Sequence, residues 1–210
     1  GNPDGAPILY FHDSGGSRLE AVFHDESAKL LGYKIIAVDR PGVGCSNLYP
    51  LDSPMQWAGE LSQLLDRLGI GECGAMAMGA GTIYSLAMAS RYPERVRFQL
   101  AISGVPGLAS TVNSPNTVPK KVWRSLTPTL VHFLARIQKR FSADSFAADS
   151  ISELARELDY TDRKLLSDPL VFKALVDDKR EATRYGVDGV IQDRVTCSRQ
   201  LEFELCSIQT

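Results

Sequence analysis

Short apolar runs alternate with helix-length segments through the first hundred residues, and this alternation narrows the fold more than any other feature. Residues 8–11 (Ile-Leu-Tyr-Phe), 34–38, 73–78 and 98–102 are continuous apolar stretches bounded by Gly, Asp or Ser. Runs of that length read as strands buried on both faces. Between them lie helical patterns. Ser53-Pro54 is an N-cap and N1 pair, and Leu61, Leu64, Leu65 and Leu68 then fall on one helix face before Gly69 stops it. Residues 17–31 carry Leu19, Val22, Phe23, Leu30 and Leu31 ahead of Gly32, and read as one helix. Residues 80–91 form a small-residue helix that ends at Tyr92-Pro93. Strand and helix at this spacing predict βαβ units, a parallel sheet and an α/β fold.

The regime changes near residue 105. Val105-Pro106-Gly107 and Ser114-Pro115-Asn116 are loop signals, and helical patterns follow. Trp123, Leu126, Leu130, Phe133, Leu134 and Ile137 fit one face, with Pro128 kinking it. Ile151, Leu154, Ala155 and Leu158 fit a second helix, and Leu170, Phe172, Ala174, Leu175 and Val176 begin a third. Residues 201–205 alternate and fit either a strand or a helix end. The mixed charges of Asp177-Asp178-Lys179-Arg180-Glu181 read as a solvated helix face.

Composition excludes several function classes. A net charge of −2 offers no basic excess for a phosphate backbone, so nucleic acid is not an expected partner. The basic groups Lys120-Lys121 and Arg136, Lys139 and Arg140 read as the solvated edge of a helix, since Asp144 and Asp149 dilute them. No apolar run approaches the 18 or so residues that span a bilayer. Cys45, Cys73, Cys197 and Cys206 form no CxxC pair and no zinc-ligand spacing with the three histidines, His12, His24 and His132. The reading is reduced thiols, a cytoplasmic setting, and neither a metal nor a cofactor.

Three segments carry the chemical signal. Phe11-His12-Asp13-Ser14-Gly15-Gly16-Ser17-Arg18 follows the first strand, and Asp39-Arg40-Pro41-Gly42-Val43-Gly44-Cys45-Ser46 follows the second. Ala77-Met78-Gly79-Ala80-Gly81 joins the third strand to a helix ending Arg91-Tyr92-Pro93-Glu94-Arg95-Val96. In that order, from about residue 5 to residue 107, they resemble the α/β-hydrolase superfamily. The resemblance implies a parallel sheet with flanking helices. Residues 1–107 would be a partial core and residues 108–210 a helical cap, with core strands expected both before residue 1 and after Thr210. A sheet lacking those strands would leave edges open to pairing with another chain.

The resemblance also assigns positions. The strand–turn–helix has the family's small-x-nucleophile-x-small form, with Ala77 and Gly81 as the small residues and Gly79 at the nucleophile position. Glycine has no side chain with which to attack a carbonyl. Ser46 and Ser85 lie elsewhere and do not replace it. Ser14 and Ala80 occupy the positions whose N–H groups would form an oxyanion hole. Asp13 stands where the family has Gly, and its carboxylate would repel a developing oxyanion. His12, Asp13 and Met78 are candidates to line the cleft, while Met76 reads as core filler and Asp39-Arg40 as a structural turn. No catalytic residue is assigned. The expectation is a catalytically silent protein with a small-molecule pocket at the carboxyl ends of the strands. The alternative is an active hydrolase of small ester or amide bonds whose nucleophile was altered and whose acid and histidine lie in a missing C-terminal segment.

Overall fold

The computed structural model describes residues 1–104, 147–149, 151–152, 155–156, 158–197, 201–205 and 208. The four apolar runs are strands: β1 (Ala6–Phe11), β2 (Tyr33–Ala37), β3 (Cys73–Met78) and β4 (Val96–Ile102). They form one parallel sheet in the order β2-β1-β3-β4. From β1 the chain first adds β2 on one side, then crosses to place β3 on the other. The carboxyl ends of β1 and β3 therefore lie side by side, with Phe11 paired to Ala77, where the direction of winding switches. Loops leaving adjacent strands in opposite directions open a crevice there.

Three helices accompany the sheet: α1 (Asp25–Leu31), α2 (Pro54–Arg67) and α3 (Gly81–Arg91). Helix α2 starts as its sequence requires, with the Ser53 side chain accepting the Gln56 N–H and Pro54 in the first turn. Its Trp57, Leu61 and Leu65 join Leu9, Phe11, Ala75 and Ala77 of the sheet and Ile83, Tyr84 and Met88 of α3 in the main core. Burying each large side chain there is worth roughly 1.5–3 kcal/mol. The other sheet face buries Ile8, Tyr10 and Met76. Met76 is thus core filler, and the Cys73 thiol packs inside the main core.

The helix expected over residues 17–31 is divided. Residues Arg18–His24 form a 3-10 helix capped by Ser17, and only then does α1 begin, ending at Gly32 with φ +73°. The tighter first segment has tertiary ties: the Arg18 N–H donates to Asp39 and the Glu20 carboxylate accepts from Asp13. These polar bonds hold its backbone more firmly than periodicity does.

Later in the chain come α4 (Tyr160–Leu166), α5 (Pro169–Ala182) and α6 (Asp188–Cys197), and the described residues between 147 and 156 are helical as well. Helix α5 runs against the 3-10 helix. Helix α6, which no sequence pattern marked, sends Asp193 to Arg40 and Thr196 to the Leu51 carbonyl. Residues 201–205 form no strand; Leu201 and Phe203 instead pack against the main core. The expected helix around Trp123 to Ile137, His132, Cys206 and the basic groups from Lys120 to Arg140 lie outside the described residues. Among the described residues no helix is long and apolar enough to cross a membrane.

Candidate functional site

The crevice is built around the turn between β3 and α3. Gly79 takes φ +50°, its N–H donates to the Ile102 carbonyl at 2.9 Å, and its own carbonyl accepts the Thr82 N–H. An L-residue with a side chain is strained in that conformation, and glycine is not. Two residues on, a Cβ at Gly81 would lie 2.3 Å from the Phe11 carbonyl oxygen, so only glycine lets α3 start this close to β1.

Asp13, from the loop after β1, fills the space above the turn. Its Oδ1 accepts the Ala80 N–H at 2.8 Å. A Cβ placed on Gly79 would fall 2.2 Å from the same oxygen. The carboxylate therefore lies where an apex side chain would lie and takes up the amide at the start of α3. Its backbone is fixed on three sides. The Asp13 N–H donates to Glu20 Oε2 at 2.7 Å, and its carbonyl accepts from Arg40 Nη2 at 3.0 Å and from Gly16 N–H at 3.1 Å.

His12 does not line the cleft. It is 1 % exposed, with Nδ1 2.8 Å from the Asp13 carbonyl and Nε2 facing the Arg40 N–H at 3.4 Å. Those partners select the tautomer that donates from Nδ1 and accepts at Nε2. Burial, reinforced by the Arg40 charge, lowers its pKa well below 6.5 and keeps the ring neutral. It buttresses the loop because the chain turns over it immediately after β1. Asp13, Met78, Gly79, Ala80, Ile83, Ser103 and Cys197 surround a cleft of about 340 Å³. Ser14 is not among them, and its hydroxyl is buried without a hydrogen-bond partner. Ser103, at the end of β4, holds a left-handed φ of +50°. Burial and then Asp193 push the Cys197 thiol up to about 12, so it is neutral.

Two further carboxylates stand behind Asp13. Glu20 is raised to about 7, mainly by burial and further by Asp178 and Asp13; Tyr10 Oη donates to it at 3.2 Å. Burial likewise raises Asp178, although its Oδ1 accepts from both the N–H and the hydroxyl of Ser17, at 2.8 and 2.7 Å. The nearest cation of α5, Lys179, donates to the Gly15 carbonyl at 3.0 Å. This corrects the solvated-face reading of residues 177–181. Asp178 is 2 % exposed, and Glu181, one helical turn away, bonds Arg18 at 2.8 Å. That side of α5 lies over the loops, while Lys173, Asp177 and Arg180 make their ion pairs on the opposite side.

The loop after β2 is organised by cations. Asp39 accepts from Arg18 N–H at 2.7 Å, from the Arg18 guanidinium and from Cys45 N–H at 3.0 Å. Arg18 also pairs with Glu181, so of Asp39, Cys45 and Glu181, the one set among the described residues close enough to hold a metal ion, the two acids already share a guanidinium and the thiol donates to Glu181 at 3.4 Å. Arg40 is 1 % exposed. Its Nε lies 2.7 Å from Asp193, its guanidinium sits 4.7 Å from the centre of the Tyr84 ring, and Tyr84 Oη donates to Asp193 at 2.8 Å. Asp39 and Arg40 form the structural turn that their sequence suggested.

Comparison with known proteins places this geometry. No family model matches the chain. The solved α/β-hydrolase fold protein from Nakamurella multipartita superimposes with a TM-score of 0.64 over 98 % of this chain and 72 % of its own, at 22 % identity. The chain has the α/β-hydrolase fold. An enol-lactonase from Burkholderia xenovorans aligns equally well, with a TM-score of 0.64 over the whole chain and 70 % of its own, at 17 % identity. Among curated sequences, proline iminopeptidase of Neisseria gonorrhoeae is 28 % identical over 104 residues, 46 % of this chain and 32 % of that protein. Zearalenone hydrolase of Cladophialophora bantiana is 25 % identical over 131 residues, 60 % of this chain and 47 % of that protein. The chain thus spans about a third to a half of the curated relatives it matches. In the α/β-hydrolase fold seen here, Gly79, Ala80, Asp13 and Met78 come together at one cleft, while His12 and Ser14 stand outside it.

Proposed function

We propose that this chain is a catalytically silent α/β-hydrolase-fold protein that keeps the cleft as a small-molecule site. One observation carries the reading: the Asp13 carboxylate holds the Ala80 N–H and fills the space of an apex side chain at Gly79. Acyl transfer needs a nucleophile, a base and donors aimed at the developing oxyanion. Gly79 supplies no nucleophile. The His12 ring is sealed and neutral beneath the loop, and His24 lies on the 3-10 helix. A carboxylate beside Ala80 consumes the donor and adds negative charge where negative charge would grow.

The test is turnover of a short-chain nitrophenyl ester, and labelling by a fluorophosphonate, against a heat-killed control. Neither should exceed the control, and Gly79→Ser should stay inactive because no histidine among the described residues reaches it. The names of the curated relatives favour a second reading, an active hydrolase of small ester or amide bonds whose acid and histidine lie outside this sequence. Saturable ester turnover by this chain that disappears when the cleft is blocked at Ala80 would overturn the first reading; a longer reading frame carrying an acid and a histidine after further strands, and turnover by that longer protein, would support the second.

A further inference from the structure

We propose that the cleft takes a small organic cation, a protonated amine on an apolar body, with Asp13 as its counter-charge. The inference names a ligand class for the site just described and rests on that site's retaining a ligand. The cleft's volume of about 340 Å³ is at the small end of ligand pockets, which limits the occupant to a compact molecule. Its walls are the side chains of Met78, Ile83 and Ala80 and the bare backbone of Gly79; Cys197 is a neutral thiol and Ser103 brings a hydroxyl. Among the described residues that line it, Asp13 is the one with a charge.

The Asp13 carboxylate is incompletely matched. Oδ1 has the Ala80 N–H, and among the described residues no donor reaches Oδ2. The surrounding charges do not compensate it. Glu20 accepts from the Asp13 N–H and Asp178 stands close enough to perturb Glu20, so both neighbours behind the loop are acids. Three cations stand near the loop and none bonds this carboxylate: Arg40 pairs with Asp193 and gives Asp13 only a bond to its backbone carbonyl, Lys179 binds the Gly15 carbonyl, and the Arg194 guanidinium lies beside Gly15. A carboxylate in an apolar recess with an open oxygen favours a positively charged donor over a neutral one, and disfavours an anion. Glycine at position 79 matters here in a second way, since any larger apex residue would collide with the carboxylate that the ligand needs.

Benzylammonium, benzyl alcohol and benzoate share one body and differ in charge. Each is titrated at neutral pH into the full chain, with calorimetry for affinity and the Gly79 and Ala80 amide resonances for location. The expected result is saturable binding of benzylammonium that moves both resonances. Benzyl alcohol should bind on the order of ten- to a hundred-fold more weakly, the usual value of a charge-assisted bond, and benzoate not measurably. In Asp13→Asn the preference for the ammonium should vanish while the apolar contribution stays. Equal binding of ammonium and alcohol by the unaltered chain, tighter benzoate, or binding that leaves Gly79 and Ala80 unmoved would each overturn the proposal, whether or not the variant folds. Ester turnover together with ammonium preference would refute silence and leave the ligand class standing. Silence without ammonium preference would do the reverse.

Discussion

The loop after β2 keeps its carboxylates beside cations; the loop after β1 keeps its carboxylates beside one another. Asp39 meets Arg18, and Asp193 meets Arg40 under the Tyr84 ring. Asp13, Glu20 and Asp178 instead lie together, with backbone amides, Ser17 and Tyr10 as hydrogen-bond donors, and burial followed by the charges of Asp178 and Asp13 raises Glu20. Compensated charge fixes a loop in place. Uncompensated charge next to a cleft is the arrangement that a ligand can complete, and perturbed acids gather at such sites.

The largest blow to this contrast is Asp193→Ala. It strands the Arg40 guanidinium in the core, and about 3–5 kcal/mol of stability should be lost in a urea titration. Arg40→Met in the same chain should recover most of that, because the orphaned charge is then gone. Stability largely unaffected by Asp193→Ala would show that the β2 loop is not held by its ion pair.

Next comes Gly79→Ser. Its side chain would collide with Asp13 at a left-handed backbone position, for a loss of roughly 1–3 kcal/mol by thermal unfolding. Combining it with Asp13→Gly should relieve the collision part and leave the backbone strain.

The third test is pH. Glu20 has an ordinary value of 4.5 and titrates at about 7 in the folded protein, so between those values the folded state binds more protons than the unfolded one. Stability should therefore fall as pH rises through that window and level off above it, with buried Asp178 adding a slope of the same sign. Glu20→Gln keeps an acceptor for the Asp13 N–H and removes the charge. It should flatten the slope and raise stability at pH 8 by on the order of 1–3 kcal/mol. An unchanged slope would mean that Glu20 is not part of an acidic cluster.

The smallest effect is expected from Asp13→Asn. The amide oxygen can still accept the Ala80 N–H, so stability should move by about 1 kcal/mol or less. A large loss would make Asp13 a structural acid like Asp193 and erase the difference between the loops.

What the sequence made legible follows the range of the forces involved. Strands β1 and β3 are visible as apolar runs because they are covered on both faces, whereas β4 is as apolar but leaves Phe98 and Leu100 exposed, against the expectation of burial on both faces; α2 is visible through Ser53, Pro54 and its leucines, all local signals. Gly79 at the turn and Asp13 in the loop could be placed from motif spacing. That Asp13 reaches over Gly79 could not, since it depends on the register of β1 beside β3. Asp178 was hidden within a charged pentapeptide whose composition says solvent, and only α5 lying on the 3-10 helix buries it. Helix α6 escaped notice because Gly189, Val190, Ile191, Asp193, Thr196 and Cys197 are all buried, mixing polar with apolar residues and leaving no periodic stripe.

The long reach of those polar bonds has a kinetic consequence. Ser17 and Asp178 are 161 residues apart in the chain, Arg18 and Glu181 163, and Arg40 and Asp193 153. The parallel sheet can assemble from strands that are close in sequence, but each of these contacts must first close a loop of more than 150 residues. Closure of that length slows the search for native pairs. The sheet is therefore expected to form ahead of the contacts that α5 and α6 make with its loops. In a refolding experiment the contacts of Arg40 with α6 and of Ser17 with α5 should form in a later phase than the parallel strands.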